Sequence, residues 1–190
     1  MSKVTWSGGA LLAPMPPVMV SCGSIEKPNI ITVAWCGMLS TKPPTTYISV
    51  RPARHSYPLI KDSGEFVINL TTERLVRAAD YCGIYTGAKV DKFKKCGLTP
   101  EKSTEVSCPM IAESPLSIEC RVKQIIPLGS HDMFISDIVA VNIDEALINK
   151  EGKLCLDRAG LAAFAHGEYF ALGKKLGNFG FSVKKKGSKK

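Results

Sequence analysis

Short runs of β-branched and apolar residues fill the first half of the chain. They are the stretches PVMVSCG, NIITVAW, TTYISV and EFVINL, and Gly, Pro, Asn and Lys clusters separate them. Val, Ile and Thr favour extended backbone, and short strands at such close spacing are typical of a barrel or a sandwich. The pattern therefore predicts mostly antiparallel β-structure.

The clearest strand is LSIECRVKQII, in which apolar and polar positions alternate strictly from Leu116 to Lys123. Alternation with a period of two places one set of side chains in the core and the other in water. We expect the polar set to face water, and it comprises Ser117, Glu119, Arg121 and Lys123. MFISDIVAVNI is the expected partner strand, across a turn marked by Pro127 and Gly129.

Helical signals are fewer. Ser56 is a candidate cap for a short helix that stops at Gly64, and Thr72 is a candidate cap for ERLVRAADYC, which stops at Gly83. A further helical turn is expected near residues 91–95. These helices are too few and too irregular for a repeating βαβ sheet, so the prediction is a barrel with peripheral helices.

Length and composition favour one globular domain. The 190 residues are 45% hydrophobic and 22% charged, with no internal repeat or low-complexity linker. The formal charge is +8, but five of the lysines lie in the closing KKKGSKK. We therefore predict a single domain over residues 1–183 and a flexible Lys-rich tail over 184–190. The tail is expected to be solvated, with a weak nucleic-acid or membrane patch as the alternative.

The cysteines indicate a reducing compartment. There are seven, an odd number, and no two are spaced as C-x-x-C, which argues against a disulfide framework and a zinc ribbon. The early stretch ALLAPMPPVMV is interrupted by three prolines, and no run is long enough to cross a bilayer. The sequence therefore predicts a cytoplasmic protein without membrane association.

The chain lacks complete versions of several catalytic and ligand-binding motifs. GIYTGAKV resembles a phosphate-binding loop, but its second Gly is one place early and Val90 stands where a hydroxyl is needed. LGNFGF lacks the strand and helix of a dinucleotide fold. His55, His131 and His166 are not at metal-ligand spacing, so no metal is expected. The sequence does not exclude a catalytic nucleophile formed by Cys36 together with His55 or His131.

The stretch NIITVAWCGMLSTKPPTTYISVRPARHSY concentrates unusual chemistry. Its Ala34–Gly37 segment places backbone N–H groups beside a flat indole, which suits a planar heteroaromatic ligand. Arg51, Arg54 and the helix that opens at Ser56 suit an anion such as a phosphate. Together they indicate a nucleotide-like cofactor. The alternative is that Trp35 packs in the core and the arginines pair with carboxylates.

The order of these motifs resembles that of the flavin reductase-like family, the FMN-binding split barrels that include flavoredoxin. The likeness spans most of the chain and runs through PPVMVSCG, NIITVAWCGMLSTKPP, YISVRPARHSY, SGEFVINL, GAKVDKF, ECRV, GSHDMFISDIVAV and HGEYFALG. It implies a mainly β fold, a Greek-key, mostly antiparallel split β-barrel with a few peripheral α-helices. It also implies a homodimer with one FMN per subunit near the interface.

The resemblance further implies which residues bind FMN. Around the isoalloxazine ring it places Asn29, Thr32, Ala34, Trp35, Cys36 and Gly37. Around the phosphate or ribityl chain it places Arg51, Arg54, Ser56 and Tyr57, with Lys92 at the flavin edge or phosphate. Phe164 is expected to cover the ring. His131 is expected near the reactive face, either as a catalytic group or as a turn histidine bonded to neighbouring backbone.

Two functions follow from the resemblance. One is an FMN-dependent oxidoreductase that takes reducing equivalents from NAD(P)H and delivers them to free flavin, a small acceptor or a redox partner protein. The other is a flavoredoxin-type electron carrier without its own nicotinamide site. A third interpretation, a nucleic-acid or membrane-surface module that depends on the Lys tail, predicts a colourless protein; we expect no specific nucleic-acid partner.

Overall fold

The computed structural model describes residues 1–183; the predicted Lys-rich tail, 184–190, lies outside the described residues. The strands are β1 (Val18–Gly23), β2 (Pro28–Val33), β3 (Cys36–Thr41), β4 (Pro44–Val50), β5 (Glu65–Asn69), β6 (Pro100–Glu101), β7 (Met110–Ile111), β8 (Leu116–Pro127), β9 (Asp132–Ile143), β10 (Ala162–Ala165) and β11 (Glu168–Ala171). The α-helices are α1 (Ser56–Ser63), α2 (Val76–Ile84) and α3 (Lys92–Cys96). Short 3₁₀ turns cover Glu73–Leu75, Glu145–Leu147, Leu156–Arg158 and Phe181–Val183.

The main sheet closes into a barrel because of its strand order. Seven antiparallel strands lie in the order β2-β1-β5-β8-β9-β4-β3. β2 and β3 form opposite edges, yet only Ala34 and Trp35 separate them in the chain. A link this short spans at most about 11 Å, so the sheet must curl until its two edges come close to each other at that end. The predicted mainly β, antiparallel split barrel is confirmed, and its seam lies at Ala34–Trp35.

β1 and β2 are buried on both faces and divide the core into two parts. Inside the barrel pack Val18, Val20, Ile31, Val33, Phe66 and Phe134. On the outer face, Met19 and Ile30 pack against α2 and α3 through Ala79, Cys82 and Phe93. Each fully buried side chain of this size contributes about 1.5–3 kcal/mol. This outer packing holds the end of α2 and the start of α3 against β2.

The first helix has the predicted end and a different start. Gly64 follows α1 with φ of +68°, where a side chain would be strained, so its role as the stop is confirmed. The predicted Ser56 cap is wrong. His55 occupies the cap position, and the Ser56 hydroxyl instead accepts a hydrogen bond of 2.8 Å from Asn29 Nδ2.

The second helix differs from the prediction at its end, and the third forms as predicted. Thr72 occupies the predicted N-cap position, before the 3₁₀ turn Glu73–Leu75 that runs into α2, but it makes no side-chain capping bond. Gly83 lies inside α2, so the predicted end of this helix is wrong. Gly83 lies against β2, where a Cβ would meet Thr32 Cβ at 3.4 Å. α3 forms as expected, with Asp91 accepting from the Lys94 N–H at 3.0 Å. The glycine therefore serves close helix-to-strand approach rather than termination.

The polar face of β8 is partly buried, contrary to the alternation pattern. Ser117 is 4% exposed and Glu119 is 0% exposed. The Glu119 carboxylate accepts hydrogen bonds from the backbone N–H groups of residues 104–106 at 2.6–3.0 Å and from Asn142 Nδ2 at 2.6 Å. A loop distant in sequence covers this end of the strand, while Arg121 and Lys123 remain in water as predicted.

Within residues 1–183 no helix is long and apolar enough to cross a membrane. All seven cysteines carry free thiols.

Candidate functional site

Three adjoining pockets form a groove along the barrel seam. The seam pocket, about 170 Å³, is lined by residues 31–35, 49–51 and Arg54. The cationic pocket, about 80 Å³, shares Ile31 and Arg54 with it. The hairpin pocket, about 280 Å³, shares Thr32 and Ala34 with the seam pocket. The groove therefore follows β2 and ends in the cationic pocket.

Lys92 is a buried cation in the wall of the cationic pocket. Its residue is 3% exposed, and Nζ donates to the carbonyls of Ile30 at 2.6 Å and Cys82 at 2.8 Å. Burial lowers the pKa of Lys92, and the Arg54 guanidinium lowers it further. No carboxylate of residues 1–183 lies within ion-pair distance of Nζ. An ammonium has three donors, so one donor and the net charge are left for an anion in the pocket.

The walls of the cationic pocket come from distant parts of the chain. Residues 53–56 before and at the start of α1 form one wall, and residues 82–87 at the end of α2 form another. Gly87 lies so close to β2 that a Cβ there would stand 1.9 Å from Asn29 Oδ1 and 3.0 Å from His55 Cδ2. A glycine at 87 is therefore needed for the loop to close this end of the groove.

Asn29 joins the two walls. It is 6% exposed, and its Nδ2 donates to Ser56 Oγ at 2.8 Å and contacts Cys22 Sγ at 3.6 Å. Burial raises the pKa of the Cys22 thiol to about 11, so the thiol is neutral at pH 7. Asn29 and Ser56 thus hold the start of α1 against β2 and set the position of Arg54.

The seam pocket has an aromatic rim. Trp35 is 40% exposed and its ring lies 4.5 Å from that of His131, tilted by 40°. Burial lowers the pKa of His131, and the charges of Arg51 and Arg54 lower it further, so the ring is neutral at pH 7. Trp35 therefore does not pack in the core. The alternative arginine pairing is also not seen, since neither arginine forms an ion pair among residues 1–183.

Phe164 lies across the hairpin pocket from the seam. It belongs to the β10–β11 hairpin, and its ring meets that of Tyr169 edge to face at 5.2 Å. The Tyr169 hydroxyl donates to Asp80 Oδ1 at 3.3 Å. Burial, followed by the Asp80 charge and hydrogen bond, raises the pKa of Tyr169 to about 12. The hairpin is held to the N-terminal segment by paired backbone bonds of 2.8 Å between Met15 and Phe164.

Four predicted cofactor-binding residues, Asn29, Cys36, Gly37 and Tyr57, do not line the groove. Burial raises the pKa of the Cys36 thiol to about 11, which argues against a Cys36 nucleophile. Gly37 makes room for the Tyr47 ring, whose Cε1 a Cβ would meet at 3.2 Å. The Tyr57 hydroxyl donates to Asp132, and its ring packs against Phe134 with centroids 5.3 Å apart. Asn29 supports the pocket walls through Ser56, and the other predicted cofactor-binding residues line the three pockets.

Sequence reasoning missed part of the site. Gly83, Tyr85, Thr86 and Gly87 line the cationic pocket, and they belong to the GIYTGAKV stretch rejected as a nucleotide-triphosphate loop. Its glycines Gly83 and Gly87 were the features of the sequence that could have indicated a close backbone approach there. Asp80 and Tyr169 of the hairpin pocket gave no signal, because the contact joins α2 to a hairpin 89 residues later in the chain.

A larger cleft of about 810 Å³ lies elsewhere and shares no residue with the groove. It is lined by residues of both charges, including Glu73, Glu101, Arg74 and Arg158. Two of its carboxylates already bond backbone, Glu113 to the Thr99 N–H and Asp144 to the Ala146 N–H. We place the candidate site in the seam groove, because that groove combines a buried unpaired cation with an aromatic rim.

The comparison with known families agrees with this geometry. Residues 11–172 match the model of the flavin reductase-like domain. The chain belongs to this family. Among curated relatives, an uncharacterised protein of Archaeoglobus fulgidus is 34% identical over 142 residues, which cover 75% of this chain and 78% of the relative. An FMN reductase (NADH) RutF 2 of Rhizobium rhizogenes is 25% identical over 103 residues, covering 54% and 57%.

Solved structures give the same family. The flavoredoxin of Desulfovibrio vulgaris (Miyazaki F) superposes with a TM-score of 0.89 at 32% identity, covering 96% of this chain and all of that one. The flavoredoxin of Methanosarcina acetivorans gives a TM-score of 0.85 at 24% identity, covering 97% and 100%, which supports the fold. The resemblance to flavoredoxin and the flavin reductase-like split barrels is thus confirmed.

Proposed function

We propose that this protein is an FMN-binding flavoprotein oxidoreductase. It would pass reducing equivalents from NAD(P)H through FMN to free flavin, a small acceptor or a redox partner. The observation that carries the proposal is the buried Lys92 ammonium, which has two carbonyl acceptors and no carboxylate partner among the described residues, at the closed end of a groove with an exposed indole.

The residues fit the phosphate of FMN. The cationic pocket of about 80 Å³ corresponds to roughly two or three water volumes, enough for one phosphate group. Arg54 and Lys92 supply two positive charges, and Thr86 and Ser56 also line the pocket. A dianionic phosphate would supply the counter-charge that Lys92 lacks, with charge-assisted hydrogen bonds to its remaining proton and to the guanidinium.

The seam pocket fits the isoalloxazine ring. Ala34 and Trp35 follow the end of the edge strand β2 and line the seam pocket. Their carbonyls already accept hydrogen bonds, that of Trp35 from the Ser49 N–H at 2.8 Å and that of Ala34 from the Cys36 N–H at 3.1 Å, so their N–H groups are the ones that would serve the ring. The Trp35 indole, held by His131, would border one side of the ring. His131 would act as a positioning residue, because its contact is with Trp35 and its neutral ring carries no charge to the groove at pH 7.

When bound, FMN supplies an N5 atom that accepts a hydride and can pass electrons on singly or in pairs. The residues of the chain would contribute by positioning the ring and by stabilising the charge that it gains on reduction. Backbone N–H groups at the seam and the cations Arg51, Arg54 and Lys92 would favour the more negative, reduced form of the ring. The open side of the seam pocket would admit NAD(P)H or an acceptor.

A flavoredoxin-type electron carrier without a nicotinamide site is the second candidate. It is favoured by the high similarity to the D. vulgaris flavoredoxin over nearly the whole chain. The net charge of +8 would suit docking to an acidic redox protein.

We also propose that the protein forms a homodimer through the edge of β3. The free edge of β3 exposes Met38 at 60% and Leu39 at 49%, next to Trp35. An exposed apolar edge strand is a ready surface for pairing with a second copy. The flavin groove opens beside this edge, so pairing there would bring a second chain close to the ring.

The test is to purify the protein without added cofactor, record its visible spectrum and add FMN in excess. We expect a yellow protein with bound oxidised flavin. Steady-state NADH and NADPH oxidation with flavin or ferric acceptors then separates the candidates: turnover supports the oxidoreductase, and an FMN-loaded protein inert to both donors supports the carrier. A protein that stays colourless with excess FMN would overturn both.

A further inference from the structure

The hairpin pocket lies beside the proposed flavin ring and holds no group needed for the phosphate. Its lining residues are Pro17, Thr32, Ala34, Asp80, Gly83, Ile84, Phe164, Gly167 and Tyr169. Thr32 and Ala34 also line the seam pocket, so the two cavities adjoin along the end of β2. A molecule in the hairpin pocket would therefore lie next to the ring.

The size and shape of the pocket suit one small ring. Its volume of about 280 Å³ is roughly nine water volumes, which matches a six-membered ring with a substituent of three non-hydrogen atoms. Phe164 and Tyr169 present an edge-to-face aromatic pair on one wall, with centroids 5.2 Å apart. Gly167, with φ of +90°, forms the hairpin turn that brings this pair to the groove. Aromatic edges and faces of this kind favour a flat ligand.

The polar end of the hairpin pocket carries a negative charge, that of the Asp80 carboxylate. Asp80 is the one charged side chain among its lining residues. Its Oδ1 accepts from the Tyr169 hydroxyl at 3.3 Å, and Tyr169, with its pKa raised to about 12, stays a neutral donor. Oδ2 remains an acceptor without a partner among the described residues. A ligand with an N–H or O–H group could donate a hydrogen bond to Oδ2, whereas a ligand carboxylate would be repelled by the Asp80 charge.

We infer that the hairpin pocket is a ligand site beside the flavin and selects small uncharged rings with a hydrogen-bond donor over carboxylates, through Asp80. This inference rests on the proposed function, because it concerns which molecules reach the flavin. Asp80 is a specificity residue in it, and Tyr169 positions Asp80.

The test compares benzamide with benzoate, which share a ring and differ in charge and donor. Both are titrated into FMN-loaded protein, so that FMN occupies the Arg51 and Arg54 region, and binding is followed by the backbone amide shifts of Gly167 and Tyr169. We expect benzamide to shift these amides and to bind roughly fivefold or more tightly than benzoate, because Asp80 is exposed and water screens a like charge at about 4 Å. Equal affinities, or shifts confined to other residues, would overturn the inference.

Asp80→Asn should bring the two affinities within about twofold, because it removes the charge and keeps the shape. Glu168→Gln is the matched control: it removes a carboxylate from the same hairpin that does not line the pocket, and the preference for benzamide should persist. A preference unchanged in Asp80→Asn would also overturn the inference. Failure of the proposed function is separate, since FMN would then not bind, and the two titrations with unloaded protein would still report on Asp80.

Discussion

Glu119 and Lys92 are both buried charged groups, but they differ in how completely their hydrogen-bonding capacity is satisfied. Burial alone would raise the pKa of Glu119, but hydrogen bonds from the Thr104 and Glu105 backbone, Asn142 and the Val106 backbone outweigh it and hold the pKa below its usual value. Lys92 has two carbonyl acceptors, a lowered pKa and a cavity beside it. A buried charge with a complete set of partners stabilises the fold, whereas an incompletely paired charge that borders a cavity can bind a ligand of opposite charge.

Glu119→Gln should produce the largest effect, on stability. The amide keeps one acceptor oxygen, and its NH2 would face either the Glu105 and Val106 N–H groups or the Thr104 N–H and Asn142 Nδ2. Two donors would then lose their acceptor, at a cost of about 3–5 kcal/mol in the free energy of unfolding measured with urea. FMN affinity of the folded protein should be unchanged. Glu145→Gln, an exposed carboxylate in a 3₁₀ turn, is the control and should stay within about 0.5 kcal/mol. A cost below about 1 kcal/mol for Glu119→Gln would contradict a structural role.

The pH dependence of this effect has a definite sign. The folded pKa of Glu119 is lowered, so its carboxylate contributes stability that is fully present above the unfolded pKa of about 4.3. That contribution is lost as pH falls through the lower folded pKa. The stability gap between wild type and Glu119→Gln should therefore be constant from pH 7 to about 5 and narrow below about 4.3. A gap that widens on acidification would contradict the assignment.

Lys92→Met should produce the second largest effect, on ligand binding. Without the ammonium, FMN affinity should fall by about 100-fold while riboflavin affinity, which involves no phosphate, stays within about twofold. Stability of the unliganded protein should be unchanged or slightly higher, because an isosteric apolar side chain removes a desolvated charge. Lys89→Met, an exposed lysine of the neighbouring loop, tests for general charge effects. Equal losses for FMN and riboflavin would place Lys92 away from the phosphate.

Trp35→Ala should affect both ligands alike. Loss of the indole from the rim of the seam pocket should weaken FMN and riboflavin by roughly tenfold each, since the contact is with the ring they share. The other tryptophan, Trp6, is 70% exposed and does not line the groove, so Trp6→Ala is a matched control. Fluorescence titration measures all four affinities. Unchanged affinities in Trp35→Ala would move the ring away from the seam.

Gly87→Ala should give the smallest effect. The added Cβ would stand 1.9 Å from Asn29 Oδ1, so the loop that closes the cationic pocket must move. We expect FMN affinity to fall by roughly fivefold and riboflavin affinity to change less, because the disturbance is at the phosphate end. At Gly173, a Cβ would meet no atom within 4 Å, so Gly173→Ala is the control. A Gly87→Ala protein with wild-type FMN affinity would show that the loop does not shape the pocket.

Local patterns in the sequence predicted six strands, the three helices and the segment that carries Trp35 and Arg54, because these features depend on neighbours along the chain. The predicted strands correspond to β1, β2, β4, β5, β8 and β9; β3, the short β6 and β7 and the β10–β11 hairpin were not predicted. The family's motif order supplied the split barrel and Lys92. Alternation failed at Glu119, since the loop that buries it returns from another part of the chain. GIYTGAKV was misjudged for the same reason: its place beside Arg54 depends on the packing of α2 and α3 against β2, which no local pattern encodes.

The most direct test of the account is the ratio of FMN to riboflavin affinity in the wild-type protein, measured by flavin fluorescence titration. The two ligands differ by the phosphate alone. If the cationic pocket around Lys92 and Arg54 binds that phosphate, FMN should bind about 100-fold more tightly or better. Equal affinities would contradict the account, because the buried ammonium would then have no part in holding the ligand.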